Sequence, residues 1–124
     1  MLEVLPGTHG SALLLKAVRR LSDADYKNVL IPRLEAIISQ HGKARPLLDL
    51  SGFFGWEAAA LWDDARFGLA HSHDFERVAV VGGPRWIAWG MKLSGLLMSG
   101  ELKSSPPRER EAAVYWIKEG DAAE

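Results

Sequence analysis

Two short, almost uninterrupted apolar runs limit the possible folds of this chain more than any other feature. They are Leu47-Leu48-Asp49-Leu50 and Val78-Ala79-Val80-Val81, and a helix-length stretch separates them. A strand with one wet face alternates apolar and polar residues, whereas a strand covered on both faces reads as a near-continuous apolar run. Parallel strands need a long crossover between them, usually a helix. The pair therefore points to a layered α/β sheet with parallel crossovers.

The remaining elements fit around this centre. Met1–Leu5 reads as a short strand stopped by Pro6-Gly7, and Ser11–Arg19 as a second strand, with Gly7–Gly10 as a hairpin-type connection. Ser22 is a natural N-cap, and Asp23 and Asp25 favour the positive end of a helix dipole. The helix it opens carries Tyr26, Val29, Leu30, Leu34, Ile37 and Ile38 at apolar spacing, is expected to kink at Pro32, and ends at His41-Gly42. Arg45–Leu50 is the third strand and Trp56 to about His71 the second helix. Arg77–Val81 is the fourth strand, with Gly82-Gly83 as its turn. Pro84 sits where the first residue of a helix should be, and that helix runs to about Met98. Glu101–Lys103 is a short edge strand, and Pro107 begins a last helix, Arg108–Lys118, stopped by Gly120. The expected order is ββαβαβαβα, a mixed sheet of about five strands with about four helices. Residues 1–120 form one domain in this reading, and 121–124 a fraying tail.

Composition removes several function classes. A formal net charge of -1 argues against nucleic acid, where a basic excess would be needed to neutralise phosphates. The absence of Cys excludes disulfides, thiolate catalysis and Cys-ligated zinc. Met1–Pro6 has no basic flank and no long apolar run, so no signal peptide is expected there. No segment reaches the ~20 apolar residues of a membrane span. A cytoplasmic protein is expected, with room for peripheral contact at the inner membrane surface.

Asp49-Leu50-Ser51, Phe53-x-Gly55-Trp56-Glu57-x-x-Ala60-Leu61-Trp62-x-Asp64, Phe67-Gly68-Leu69-x-His71, Phe75-Glu76-Arg77-Val78-Ala79-Val80-Val81-Gly82 and Trp86 together resemble the SpoIIAA-like family over nearly the whole chain. The resemblance implies a STAS-like fold, distantly related to lipid-carrying domains of the CRAL-TRIO type. It implies no enzyme activity, and it brings in membrane association and an apolar ligand as expectations. Anti-sigma antagonists of similar fold carry a phosphorylatable Ser in an Asp-Ser-Ser-Gly-like run after the third strand. Here that position reads Gly55-Trp56-Glu57-Ala58, which argues against the same phosphoswitch.

The aromatic residues hold the binding hypotheses. In the helix after Pro84, Trp86, Ile87, Trp89, Met91, Leu93, Leu96, Leu97 and Met98 cover an arc of roughly 220°, more than the roughly 100° that covering a sheet requires. The surplus can serve core packing, a second copy of the chain, a ligand or a lipid surface. Phe67, Trp89, Met91 and Leu96 are the candidate interaction face, and a homo-oligomer is expected from them. Ligands of open α/β sheets bind beyond the carboxyl ends of the strands. Ser51, Phe53, Phe54, Trp56, Gly82, Gly83, Arg85 and Trp86 are therefore the candidate ligand site. Two helix N-termini and Arg85 would favour an anionic head there, with an aromatic wall for an apolar body.

Catalytic and metal readings are weak. His71 and His73 are two apart and so do not share a helix face, with no Cys or third His nearby. Glu57, Asp63 and Asp64 scatter around their helix, which suits a solvated face. Ser51 lies near Asp49 without an evident His base, so a hydrogen-bonded strand end is expected. The interleaved run Arg108-Glu109-Arg110-Glu111 reads as a charged helix face. No metal and no cofactor are expected.

Overall fold

The computed structural model describes residues 2–6, 8, 10–56, 73–83 and 100–119; of Leu21 and residues 52–56 it describes the backbone alone. Five strands form one sheet in the order β1 (Leu2–Val4), β2 (Ala12–Leu21), β3 (Arg45–Trp56), β4 (Arg77–Val81) and β5 (Glu101–Ser105). β1 runs antiparallel to β2, and the other neighbours are parallel, which is the expected mixed sheet. Thr8 secures the connection between β1 and β2. Its hydroxyl donates to the Leu5 carbonyl at 3.1 Å and accepts from the Leu14 amide at 3.0 Å.

Consecutive strand residues feed two separate cores. Leu13, Leu15, Ala17, Leu50 and Val80 join one, with Tyr26, Leu30 and Leu34 from the first helical segment. Leu14, Leu47, Ala79 and Val81 join the other, with Ala113 and Ile117 from the last helix. Successive side chains of a strand point to opposite faces, so apolar residues on both sides account for the unbroken runs of β3 and β4.

The first helical segment is built on its cap. The Ser22 hydroxyl accepts from the Asp25 amide at 3.2 Å, and the Asp25 carboxylate accepts from the Ser22 amide at 2.9 Å. This capping box opens α1 (Asp23–Asp25). A π-turn, Tyr26–Leu30, leads into α2 (Ile31–His41). The expected kink at Pro32 takes this form. Proline has no N–H to give, and its ring crowds the carbonyl four residues earlier, so the wider turn ahead of it absorbs the mismatch. Gly42, at φ +80°, closes α2 by donating its amide to the Ile38 carbonyl at 2.8 Å.

Burial pushes the Asp25 carboxyl up, but hydrogen bonds, that from the Ser22 amide foremost, outweigh it and hold the group below its ordinary value. A carboxyl lowered on folding stabilises above its unfolded pKa, and the contribution is lost as pH falls through the folded value. Ser22→Ala should cost about 1 kcal/mol at neutral pH in urea unfolding. The cost should shrink in acid, where wild type also loses the carboxylate bond.

Four boundaries depart from the sequence reading. β3 does not stop at Leu50 but continues to Trp56, so Phe53, Phe54 and Trp56 belong to a strand rather than to a turn and a helix start. The β2–β3 register slips between Lys16 and Val18 and again between Arg19 and Arg20, giving β3 extra residues. Gly52 and Gly55 suit such bulges, which is why they resemble turn signals. β2 extends to Leu21 and β5 to Ser105, and the last helix begins with a 3₁₀ turn at Pro107–Glu109 before α3 (Arg110–Lys118). The helices expected at 56–71 and 84–98 lie, Trp56 apart, outside the described residues. The described order is thus ββαβββα, with two helical segments.

Candidate functional site

The carboxyl ends of β4 and β5 meet the middle of β3 at a small polar cluster. β3 pairs with β4 over Leu47–Asp49, opposite Ala79–Val81, and then, among the described residues, runs on beside β2 alone. β4 stops at Val81, which is paired with Ser105 of β5. The Gly82 amide donates to the Ser105 carbonyl at 2.8 Å. Gly82 has φ +74°, and a Cβ there would lie 3.3 Å from the Ser51 backbone and from Pro107. Only glycine fits that conformation at low cost, and its smallness lets the end of β4 come against Ser51. Gly83, at φ +88°, continues the turn.

Asp49 organises this end of the sheet. It is the one polar residue of its apolar run and is only 4% exposed. One carboxylate oxygen accepts from the Ser51 amide at 3.0 Å and from the Ser51 hydroxyl at 2.7 Å. The other pairs with Arg110 Nε at 3.1 Å, tying the first turn of α3 to β3. A buried carboxylate is costly unless its oxygens are paired, and here both are. Ser51 is hydrogen-bonded as expected, but inside β3 rather than at a strand end. Its hydroxyl donates to a carboxylate whose other oxygen is taken by Arg110, with no imidazole among the partners.

Arg110 is the residue that sequence reasoning missed. Its charged run reads as a solvated face, yet its side chain bridges to a buried acid. A lone Asp inside a strand buried on both faces needs a cation, and that signal was available. The opposite end of α3 is held by Arg45 and Arg77 from the first positions of β3 and β4. Arg45, 6% exposed, pairs with Glu76 and donates to the carbonyls of Ile117 and Glu119. Arg77 donates to the Trp116 carbonyl at 2.7 Å and lies 4.9 Å from the centre of its ring.

Of the candidate ligand residues, the structure gathers Ser51, Gly82 and Gly83 at one point. It also sets the backbone of Phe53, Phe54 and Trp56 along the continuation of β3. Arg85, Trp86 and the interaction face Phe67, Trp89, Met91 and Leu96 lie outside the described residues. So do His71, Glu57, Asp63 and Asp64, while His73 is exposed in a turn. Among the described residues no three His, Cys, Asp or Glu gather as a metal site. A shallow groove of about 280 Å³ runs from Arg110 along α3, lined also by Pro6, Leu14, Glu111, Val114 and Lys118. None of the described helices is long and apolar enough to cross a membrane.

Comparison with known proteins gives a consistent picture. The SpoIIAA-like family model matches residues 13–118. The fold is similar to the crystal structure of an uncharacterized protein from Shewanella loihica PV-4, described as a DUF3478 family member with a SpoIIAA-like fold. The TM-score is 0.73 at 26% identity, covering 94% of this chain and 92% of that one. No curated protein matches the chain.

Proposed function

From the premise that the chain belongs to the SpoIIAA-like family, we propose that it is a non-catalytic binding module. Its cleft, at the carboxyl ends of β3 and β4, takes an apolar or amphipathic molecule with an anionic head. The observation that carries this reading is the unequal reach of the two central strands. β4 ends at Val81, opposite Asp49, and turns at Gly82-Gly83, while β3 carries Gly-Phe-Phe-Gly-Trp onward beyond it. Ligands of open α/β sheets bind beyond the carboxyl ends of the strands. An aromatic wall with few polar groups suits an apolar body. Arg85, two residues after Gly83, supplies charge at the mouth in this reading, and peripheral contact with a lipid surface would use the same residues.

The non-catalytic part of the reading is supported by Ser51, whose proton is committed to the Asp49–Arg110 pair. An acyl-transfer nucleophile needs an adjacent general base oriented by a third group.

Trp emission titrated with a fatty acid, and separately with anionic liposomes, tests the reading. Saturable change is expected, weakened in Trp56→Ala by loss of wall area. Arg85→Ala should weaken it more at low salt than at high salt, because exposed charge is screened. If neither ligand perturbs emission, or both variants titrate like wild type, the cleft reading fails. A protein-interaction domain working through Phe67, Trp89, Met91 and Leu96 then takes its place, and sedimentation would show it as self-association.

A further inference from the structure

The continuation of β2 beside β3 carries a conformational cost in the wrong residue. Arg19 has φ +61°, the only non-glycine residue with positive φ among those described. L residues with a full side chain pay for that conformation, and a strand position held in it is ordinarily glycine. Arg19 lies between the two register slips of the β2–β3 pair, directly opposite Phe53. It is exposed, so no buried ion pair explains its retention. Strain of this kind survives where the residue is held for something other than stability.

Its surroundings indicate what that is. β2 carries Lys16, Arg19 and Arg20 and no acid from Ala12 to Leu21, in a chain whose net charge is -1. Arg20 already has an interaction partner, which leaves Arg19 as the residue of interest. Across the register, Gly52 and Gly55 flank Phe53 and Phe54 on β3. Glycine lets a ligand approach the backbone closely, and a guanidinium beside such a strand can grip an oxyanion through two parallel N–H donors.

We propose that Arg19 is a further counter-charge, besides Arg85, for the oxyanion head group of the amphipathic ligand, bound across the β2–β3 extension. This rests on the cleft reading above and adds a residue that recognises the head. The left-handed backbone at Arg19 coincides with the register slip that follows it, where the regular strand alternation is interrupted.

Full-length wild type, Arg19→Ala, Arg19→Lys and Arg19→Gly are titrated with dodecyl phosphate and with neutral dodecyl maltoside, both below micelle formation, and with inorganic phosphate. Dodecyl phosphate affinity should fall about tenfold in Arg19→Ala at low salt, as expected for one charge-assisted contact. Arg19→Lys should retain most of it, and maltoside binding should not change. Arg19→Gly should bind as poorly as Arg19→Ala and yet melt a few degrees above wild type, because glycine relieves the strain. If wild type binds both amphiphiles and Arg19→Ala binds dodecyl phosphate equally well, the inference fails while the cleft reading stands. If wild type binds neither amphiphile nor phosphate, the cleft reading fails and takes this inference with it. Inorganic phosphate bound as tightly as dodecyl phosphate, and as dependent on Arg19, keeps the anion site and overturns the apolar ligand.

Discussion

Gly100→Ala should destabilise the protein by about 3 kcal/mol, at the upper end of what overpacking costs. A Cβ on Gly100 would overlap the carbonyl oxygen of Phe75 and lie 2.8 Å from that of Glu76. Neither is the movable end of a side chain. The Asp74–Glu76 segment is fixed on its other side by Ala44, whose amide donates to Asp74 at 2.9 Å and whose carbonyl accepts from Glu76 at 3.0 Å. The Glu101 amide in turn donates to the Glu76 carbonyl at 3.0 Å. One methyl group would therefore press apart the amino ends of β3, β4 and β5 together. Gly42→Ala is the comparison. Its φ is +80° but a Cβ there meets nothing within 4 Å, so only the backbone penalty of about 1 kcal/mol applies. Urea unfolding of the two variants separates steric from conformational cost. Equal losses would mean that the Phe75 and Glu76 carbonyls yield easily.

Arg45→Met should cost about 2 kcal/mol, because a buried donor shared by a half-exposed carboxylate and two carbonyls is lost. The guanidinium bonds the Glu76 carboxylate and two carbonyls at the end of α3. Removing it leaves those carbonyls without their donor and takes a cation away from the negative end of the helix dipole. Methionine keeps most of the apolar stem, so lost packing contributes little. α3 has few buried residues of its own, Ala113 and Ile117, so its polar anchors matter. Amide exchange should quicken first within 110–118. Arg77→Met should cost less, because its ion pair with Glu101 is long at 3.8 Å and Glu101 is exposed. An Arg45→Met protein as stable as wild type would show that α3 is held by its apolar face alone.

How far the sequence reached depends on what each residue signals locally. Val78–Val81 and Leu47–Leu50 announce buried parallel strands because both their faces are apolar, and both runs lie in the central strands. Ser22, Asp25 and Gly42 announce the ends of the first helical segment because capping is a local event within four residues. The extension of β3 was illegible for the opposite reason. Gly52 and Gly55 serve a bulged strand and a turn equally well, and only pairing with Val18–Leu21, over thirty residues away in sequence, decides between them. Arg110 was missed because its run of alternating charges describes solvent exposure, while its partner Asp49 is distant in the chain. Arg19 gave no signal at all, since a left-handed φ leaves no trace in an arginine codon or its neighbours. Of the candidate ligand residues, Ser51 and Gly82 come together although thirty residues separate them, whereas Phe53, Phe54 and Trp56 were read as a turn and a helix start because their strand partner is distant in sequence.

The central claim is that a ligand enters where Ser51 and Gly82 meet. The most direct measurement is an amide chemical-shift titration of the protein with dodecyl phosphate, using glycine amides as reporters at known places. Saturable shifts are expected at Ser51, Gly52, Gly55, Gly82 and Gly83, with Gly42 and Gly100, at the opposite ends of their elements, unmoved. Absence of saturable shifts, or shifts confined to the groove along α3 at Glu111, Val114 and Lys118, would contradict the account.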